Sequence, residues 1–270
     1  MLGLKLTKLT GIDISSYKAT QMRRRLDSFV AHNSIGTMSD FCGALEKEKP
    51  LLASLRNYLT INVSEFFRDK NSYDYLQQVI FPQLLKTRPK LNIWSAGCSY
   101  GQEPYSLSML LTTYAAVGPH RILATDIDTE ALSKAKAGGP YPTEAIKNVP
   151  NYLLLKYCTL QNGSYFVNPS VRNSIEFQPL NLLNGNFEEG FDLIVCRNVS
   201  IYFTESAKSD LNRKFFRSLR NGGVLFIGGT EVILDVSQIG FSSLTPSFYL
   251  KPATGFTKTN PIKTSGMKPN

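Results

Sequence analysis

The sequence predicts an α/β fold: a Rossmann-like, mainly parallel sheet covered by helices on both faces, with a small antiparallel β insert and an all-α N-terminal domain in front. Three observations predict it. Up to residue 90 no alternating or β-rich run occurs, and the apolar residues fall at helical spacing. After Lys90, short apolar runs alternate with amphipathic segments, as parallel strands alternate with crossover helices. Asn162-Gly163 then joins two short apolar runs, a strong signal for a tight hairpin.

Element by element, Met22, Leu26, Phe29 and Val30 form one face of a helix over residues 17–30, with Arg23, Arg24, Arg25 and Asp27 between them. Ser39 is expected to cap a second helix, and Pro50 suits the first turn of a third that runs through Tyr58. Residues 60–68 link this bundle to a further helix at 73–86. Strands are expected at 91–97, 121–127, 175–181, 191–197 and 224–228, and a final edge strand at 247–251. Helices are expected at about 103–116, 129–137 and 205–219, and a turn at Asn221-Gly-Gly. The insert occupies about 152–170. The expected partition is a helical domain with linker at 1–70, an α/β domain at 71–252 and an unstructured tail at 253–270, which is rich in Lys, Thr, Pro and Gly.

Composition narrows the function. No apolar stretch approaches the ~20 residues that span a bilayer, and Lys5 and Lys8 interrupt the N-terminal apolar residues, so neither a membrane span nor a signal peptide is expected and the location is expected to be cytoplasmic. The four cysteines are scattered with no C-x-x-C pair, which argues against a zinc or dithiol site. His32 and His120 are the only histidines, so chemistry that needs a histidine base has few candidates. The formal net charge of +9 points to an anionic partner.

Three motifs lie at strand ends, where an open parallel sheet binds its ligands. Ser95-Ala-Gly97-Cys-Ser-Tyr-Gly101-Gln-Glu103 follows the first strand. Gly97 and Gly101 permit close backbone approach, but the dinucleotide pattern G-x-G-x-x-G is absent, so a phosphate-free ligand fits better, with Glu103 as a partner for an amino group. Asp126 ends the second strand, where a carboxylate accepts hydrogen bonds from ribose hydroxyls. Cys196-Arg197-Asn198-Val199-Ser-Ile-Tyr202-Phe ends the fourth, and Asn198 and Tyr202 are candidates to line the reacting centre.

Together, N-V-S-E-F-F-R (62–68), I-W-S-A-G-C-S-Y-G-Q-E-P-Y-S (93–106), A-T-D-I-D (124–128), N-L-L (181–183) and C-R-N-V-S-I-Y-F (196–203) resemble the chemotaxis receptor methyltransferases, the CheR family. The resemblance runs in order from the helical domain to about Leu250. It implies methyl transfer from S-adenosylmethionine to glutamate side chains of chemoreceptor cytoplasmic domains, giving glutamate methyl esters and S-adenosylhomocysteine. On that resemblance Asn62, Ser64, Arg68, Gly97, Glu103 and Asp126 contact the cofactor, Asn181 and Leu182 flank its adenine, and Arg197 and Asn198 close the site. Tyr202 stands where the family has a tyrosine near the transferred methyl. Arg23, Arg24 and Arg25 are expected to meet the acidic helices of methyl-accepting receptors, to which the protein would be recruited at the membrane. Ser64, Tyr100 and Gln102 depart from the commoner threonine, threonine and glutamate, and the short insert lacks the longer loop of members that dock on a receptor tail. Two alternatives stand beside this: an S-adenosylmethionine-binding sensor or scaffold without turnover, and an RNA methyltransferase. No aromatic-rich basic strip suited to stacking bases is present, so no nucleic-acid partner is expected.

Overall fold

The computed structural model describes residues 2–33, 35–60, 62–117 and 120–253. The expected unstructured tail falls, from residue 254 on, outside the described residues.

Four helices open the chain: α1 (Leu2–Thr10), α2 (Ala19–His32), α3 (Met38–Lys47) and α4 (Lys49–Thr60). The sequence predicts α2, α3 and α4 but not α1. Leu6 of α1 is buried with Met22, Leu26, Phe29, Phe41, Leu45, Leu55 and Leu59 in a core of the bundle's own. Thr37, not Ser39, caps α3: its Oγ1 accepts from the Asp40 amide at 3.1 Å, which satisfies one orphan donor of the first turn.

The next helical stretch joins α5 (Lys70–Tyr75) to α6 (Phe81–Thr87) through a π-helical turn at Leu76–Ile80. Pro82 sits just past that turn. Proline has no N–H to donate and its ring crowds the carbonyl four residues back, so a widened turn there accommodates it within one helical run.

Then come β1 (Asn92–Ala96), α7 (Gln102–Leu111), β2 (Arg121–Asp126) and α8 (Thr129–Ala137), followed by α9 (Asn151–Tyr157) and the hairpin β3 (Cys158–Gln161) and β4 (Ser164–Val167). The insert is thus a helix plus a hairpin. Its first apolar run, read from sequence as strand, is α9, which buries Leu153 and Tyr157. After α10 (Pro169–Arg172) the chain runs through β5 (Ile175–Pro179), β6 (Phe191–Cys196), α11 (Glu205–Ser218), β7 (Leu219–Ile227), α12 (Val236–Ile239), β8 (Ser242–Thr245) and β9 (Phe248–Leu250).

The large sheet has the order β5-β2-β1-β6-β7-β9-β8. β5, β2, β1, β6 and β7 are mutually parallel, and β9 runs antiparallel to both β7 and β8. Two sequence expectations are corrected here. The strand at Phe248–Leu250 is not at the edge; it lies inside β8, a short polar strand that the sequence did not signal. The Asn221-Gly-Gly turn lies within β7 as an irregularity, where the pairing with β6 jumps from Phe191↔Leu219 to Leu193↔Val224.

Consecutive residues of the central strands feed opposite cores. Ile93, Leu193 and Val224 pack with Leu76, Ile80, Phe81 and Tyr105 on one face. Trp94, Ile194 and Leu225 pack with Leu211 and Phe215 of α11 on the other. A sheet covered on both faces needs such continuously apolar strands, and its carboxyl ends are left as the place for polar chemistry.

Candidate active site

The order of the sheet reverses between β1 and β6, since the chain leaves β1 for β2 on one side and later returns to β6 on the other. A cleft opens at the carboxyl ends of these strands. It encloses about 950 Å³ counting its open mouth, and the linker at 62–68 forms one wall. Asn62, Ser64, Arg68, Gly97, Glu103, Asp126, Asn181, Leu182, Arg197, Asn198 and Tyr202 all line it. Arg23, Arg24 and Arg25 do not.

Gly97 makes the floor possible. Its φ is 85°, and a Cβ there would stand 2.4 Å from Cγ2 of Val199. Any side chain would therefore push away the loop that carries Asn198 and Tyr202.

Two buried carboxylates face the cleft. Glu103, in the first turn of α7, accepts from Ser95 Oγ at 2.8 Å, and Arg197 lies 3.9 Å from it. Burial drives its carboxyl up to about 7, against the opposing pull of Arg197 and Ser95. Asp126, at the end of β2, accepts from the Ser99 amide at 2.7 Å and the Asp128 amide at 2.9 Å. Burial raises its carboxyl as well, the two amides pulling the other way. Each of its oxygens already accepts one backbone N–H and has a further lone pair to offer. Ser99 Oγ, also buried on the cleft wall, has no hydrogen-bond partner among the described residues.

Asp128 ties the linker down. Its Oδ1 caps α8 through the Glu130 and Ala131 amides, and its Oδ2 accepts from Thr60 Oγ1 at 2.9 Å and Asn62 Nδ2 at 2.6 Å. The Asn62 amide is thus an anchor of the linker as well as a wall of the cleft. Arg197 holds the other end. Its guanidinium donates to the Arg68 carbonyl at 2.7 Å and lies over the Phe226 ring at 4.7 Å, with only 4% of the side chain exposed. Its Nε is buried with no hydrogen-bond partner among the described residues.

The helical bundle contributes directly, which the sequence did not foretell. The segment before α2 is clamped on the segment after β6: the Lys18 amide donates to the Tyr202 carbonyl at 2.9 Å and the Thr204 amide to the Ser16 carbonyl at 2.8 Å. Between them Tyr17 meets the edge of Phe203, ring centroids 5.0 Å apart, and both residues line the cleft. Burial and the nearby Asp126 carboxylate push the Tyr17 phenol up to about 12. Tyr17 and Phe203 are far apart in the chain, and no local pattern marks them as partners.

The arginine triplet divides. Arg23 and Arg24 are exposed, with Arg23 3.8 Å from Asp27. Arg25 is half-buried; its guanidinium sits 4.5 Å from the centre of the Tyr58 ring and donates to the Tyr58 carbonyl. The two unusual residues of the glycine loop stay out of the cleft. Tyr100 lies under the Lys134 ammonium on α8, and Gln102 is buried beneath the loop. His120 accepts from the Leu91 amide at the start of β1, the end of the sheet opposite the cleft.

Known proteins match the sequence along nearly the whole chain. The family described as CheR methyltransferase, SAM binding domain, matches residues 62–247, and CheR methyltransferase, all-alpha domain, matches residues 5–60. The chain is 41% identical over 242 residues to a chemotaxis protein methyltransferase of Listeria monocytogenes, covering 89% of this chain and 92% of that one. It is 33% identical over 255 residues to a protein of the same name from Borreliella burgdorferi, with 89% of each covered, and 33% identical over 240 residues to chemotaxis protein methyltransferase 1 of Pseudomonas aeruginosa, with 84% of this chain and 87% of that one covered. With both of its domains matched, this chain belongs to the CheR methyltransferase family.

Proposed function

We propose that the protein transfers a methyl group from S-adenosylmethionine to glutamate side chains in the cytoplasmic, acidic helical region of chemoreceptors, in the cytoplasm at the membrane-bound receptor. The observation that carries this is that one cleft is lined both by two buried carboxylates, Glu103 and Asp126, and by Asn198 and Tyr202 of the loop after β6.

The donors and acceptors fit the cofactor. Glu103 offers a low-dielectric carboxylate to an ammonium group, and Asp126 offers its remaining lone pairs to ribose hydroxyls. Leu182 and Asn181 would supply an apolar edge and an amide to the adenine, and Ser99 Oγ, without a hydrogen-bond partner among the described residues, would be available to accept or donate. When bound, S-adenosylmethionine supplies a methyl activated by positive sulfur.

A receptor glutamate is already ionised at neutral pH, its ordinary pKa being about 4.3. One of its oxygens forms the new bond to the methyl carbon as the carbon–sulfur bond breaks, and the electron pair of that bond stays on sulfur. No proton moves. The protein therefore needs no general base, only in-line alignment, which agrees with the absence of histidine from the cleft lining. That alignment falls to Asn198 and Tyr202, which line the same cleft as the two carboxylates.

Arg23 and Arg24, exposed on α2, are suited to meet an acidic helix, and the strap before α2 connects that helix to Tyr202. Reversing both charges should raise the KM for receptor about tenfold at low salt and leave cofactor affinity unchanged, because such attraction acts on encounter and is screened by salt. Receptor kinetics at low salt identical to wild type would reduce α2 to a solvated surface. Arg25 is left out of that variant, since its packing on Tyr58 would confound the result.

A further inference from the structure

The loop that carries Asn198 and Tyr202 has an unusual support. Asn198 is held at φ 59°, in the left-handed region that non-glycine residues rarely occupy, and the chain then makes a single 3₁₀ turn, Ser200–Tyr202, before the strap takes hold. Asparagine adopts this conformation more readily than other residues that carry a side chain, so Asn198 suits the turn while the groups around it set its direction. Beneath the loop lies Glu231, only 6% exposed and outside the cleft lining.

We propose that Glu231 is the positioning residue of the methyl-transfer loop. Its Oε2 accepts from the Asn198 amide at 2.7 Å and from the Gly228 amide at 2.8 Å. Its Oε1 accepts from the Ser200 amide at 3.0 Å and from Ser200 Oγ at 2.7 Å. The carboxylate thus bridges the points where the chain leaves β6 and β7, beyond the last ladder pair, Cys196↔Ile227. The three amides can only donate, and a carboxylate offers nothing but acceptors, so side chain and loop are matched. Gly228 leaves room for it: a Cβ at 228 would stand 2.7 Å from Glu231 Oε2 and 3.1 Å from the Asn198 nitrogen. The loop is then gripped from three sides, by Glu231 below, by Val199 pressed on Gly97, and by the Ser16–Lys18 strap above. Glu231 acts through the backbone of Asn198 and Ser200, and so on the placement of Tyr202, without touching the reacting atoms.

This rests on the methyl-transfer reading, and the test separates the two. Wild-type protein, Glu231→Gln and Glu231→Ala are compared in methyl transfer to receptor-containing membranes, in calorimetric binding of S-adenosylmethionine, and in amide hydrogen exchange. For Glu231→Ala, kcat should fall about 10²-fold, as misplacement by an ångström costs, while cofactor affinity stays within about threefold. Exchange across residues 198–202 should rise about tenfold or more while β6 and β7 stay protected. Glu231→Gln should fall between, since its one carbonyl oxygen still serves Asn198 and Gly228 while the Ser200 amide loses its acceptor. A Glu231→Ala kcat within about threefold of wild type overturns the proposal. So does a loss of cofactor affinity that runs parallel to the loss of kcat, the mark of general fold support; a lower melting temperature by itself is expected, because the buried amides lose their acceptor. Should Glu231→Ala not fold, Glu231→Gln decides by the same split. If wild-type protein transfers no methyl, the functional reading fails instead, and exchange alone judges Glu231: unaltered protection at 198–202 refutes it.

Discussion

Cofactor affinity should fall about tenfold for each pH unit below 7 and be nearly flat above it. The sign follows from Glu103 as the proposed partner of the cofactor's ammonium group. Burial raises its carboxyl to about 7 in the free protein, so it is mostly protonated at pH 6 and mostly ionised at pH 8. A cationic ammonium pairs only with the ionised form, so binding below pH 7 must expel a proton. Calorimetry at pH 6.5 in two buffers of different ionisation enthalpy should register that release. Glu103→Gln should lose on the order of 10²-fold in affinity at pH 8, the loss of a charged hydrogen-bond partner in a buried site, and its residual affinity should vary little between pH 6 and 8. Asp126, also raised by burial, is still present in that variant, so the pH dependence that survives is shared between it and the cofactor's own amino group. A wild-type affinity constant from pH 6 to 8 would remove Glu103 from the ammonium site.

Asp126→Ala should weaken cofactor binding by a similar factor and also destabilise the fold by about 2–4 kcal/mol, because the Ser99 and Asp128 amides would each lose their acceptor while buried. The two effects can be separated. Asp126→Asn keeps one acceptor oxygen for a backbone amide and should recover part of the melting temperature. It should recover little affinity, since two ribose hydroxyls then compete for an oxygen already engaged. Wild-type affinity in Asp126→Asn would mean that the carboxylate only shapes the β1 and β2 loops. The sequence marked Asp126 for the ribose; that it also holds both loops is known only from the fold.

That contrast is general in this molecule. Strand ends were legible because a buried parallel strand is a continuous apolar run that stops abruptly at polar residues, so the sequence alone puts Gly97, Asp126 and Arg197 at the crevice. The hairpin was legible from Asn162-Gly163, but α9 was not. Tyr152 to Tyr157 is too short and too evenly apolar for periodicity to tell helix from strand, and only the packing of Leu153 and Tyr157 decides. β8, reading Ser-Ser-Leu-Thr, has no apolar face of its own and exists by pairing with β9. The Tyr17–Phe203 contact, the Asn62–Asp128 tether and the Glu231 support join residues distant in sequence, and each was invisible for that reason. Arg25, indistinguishable in the string from its two neighbours, differs from them only because the helix turns it towards Tyr58.

The measurement that tests the central claim most directly is transfer of radiolabelled methyl from S-adenosylmethionine to receptor-containing membranes, followed by mild alkali. The account predicts label on the receptor that alkali releases as methanol, the signature of a carboxyl methyl ester. Label that survives alkali would place the methyl on nitrogen or another atom and contradict the glutamate assignment; no label, with cofactor demonstrably bound, would contradict turnover on receptors altogether.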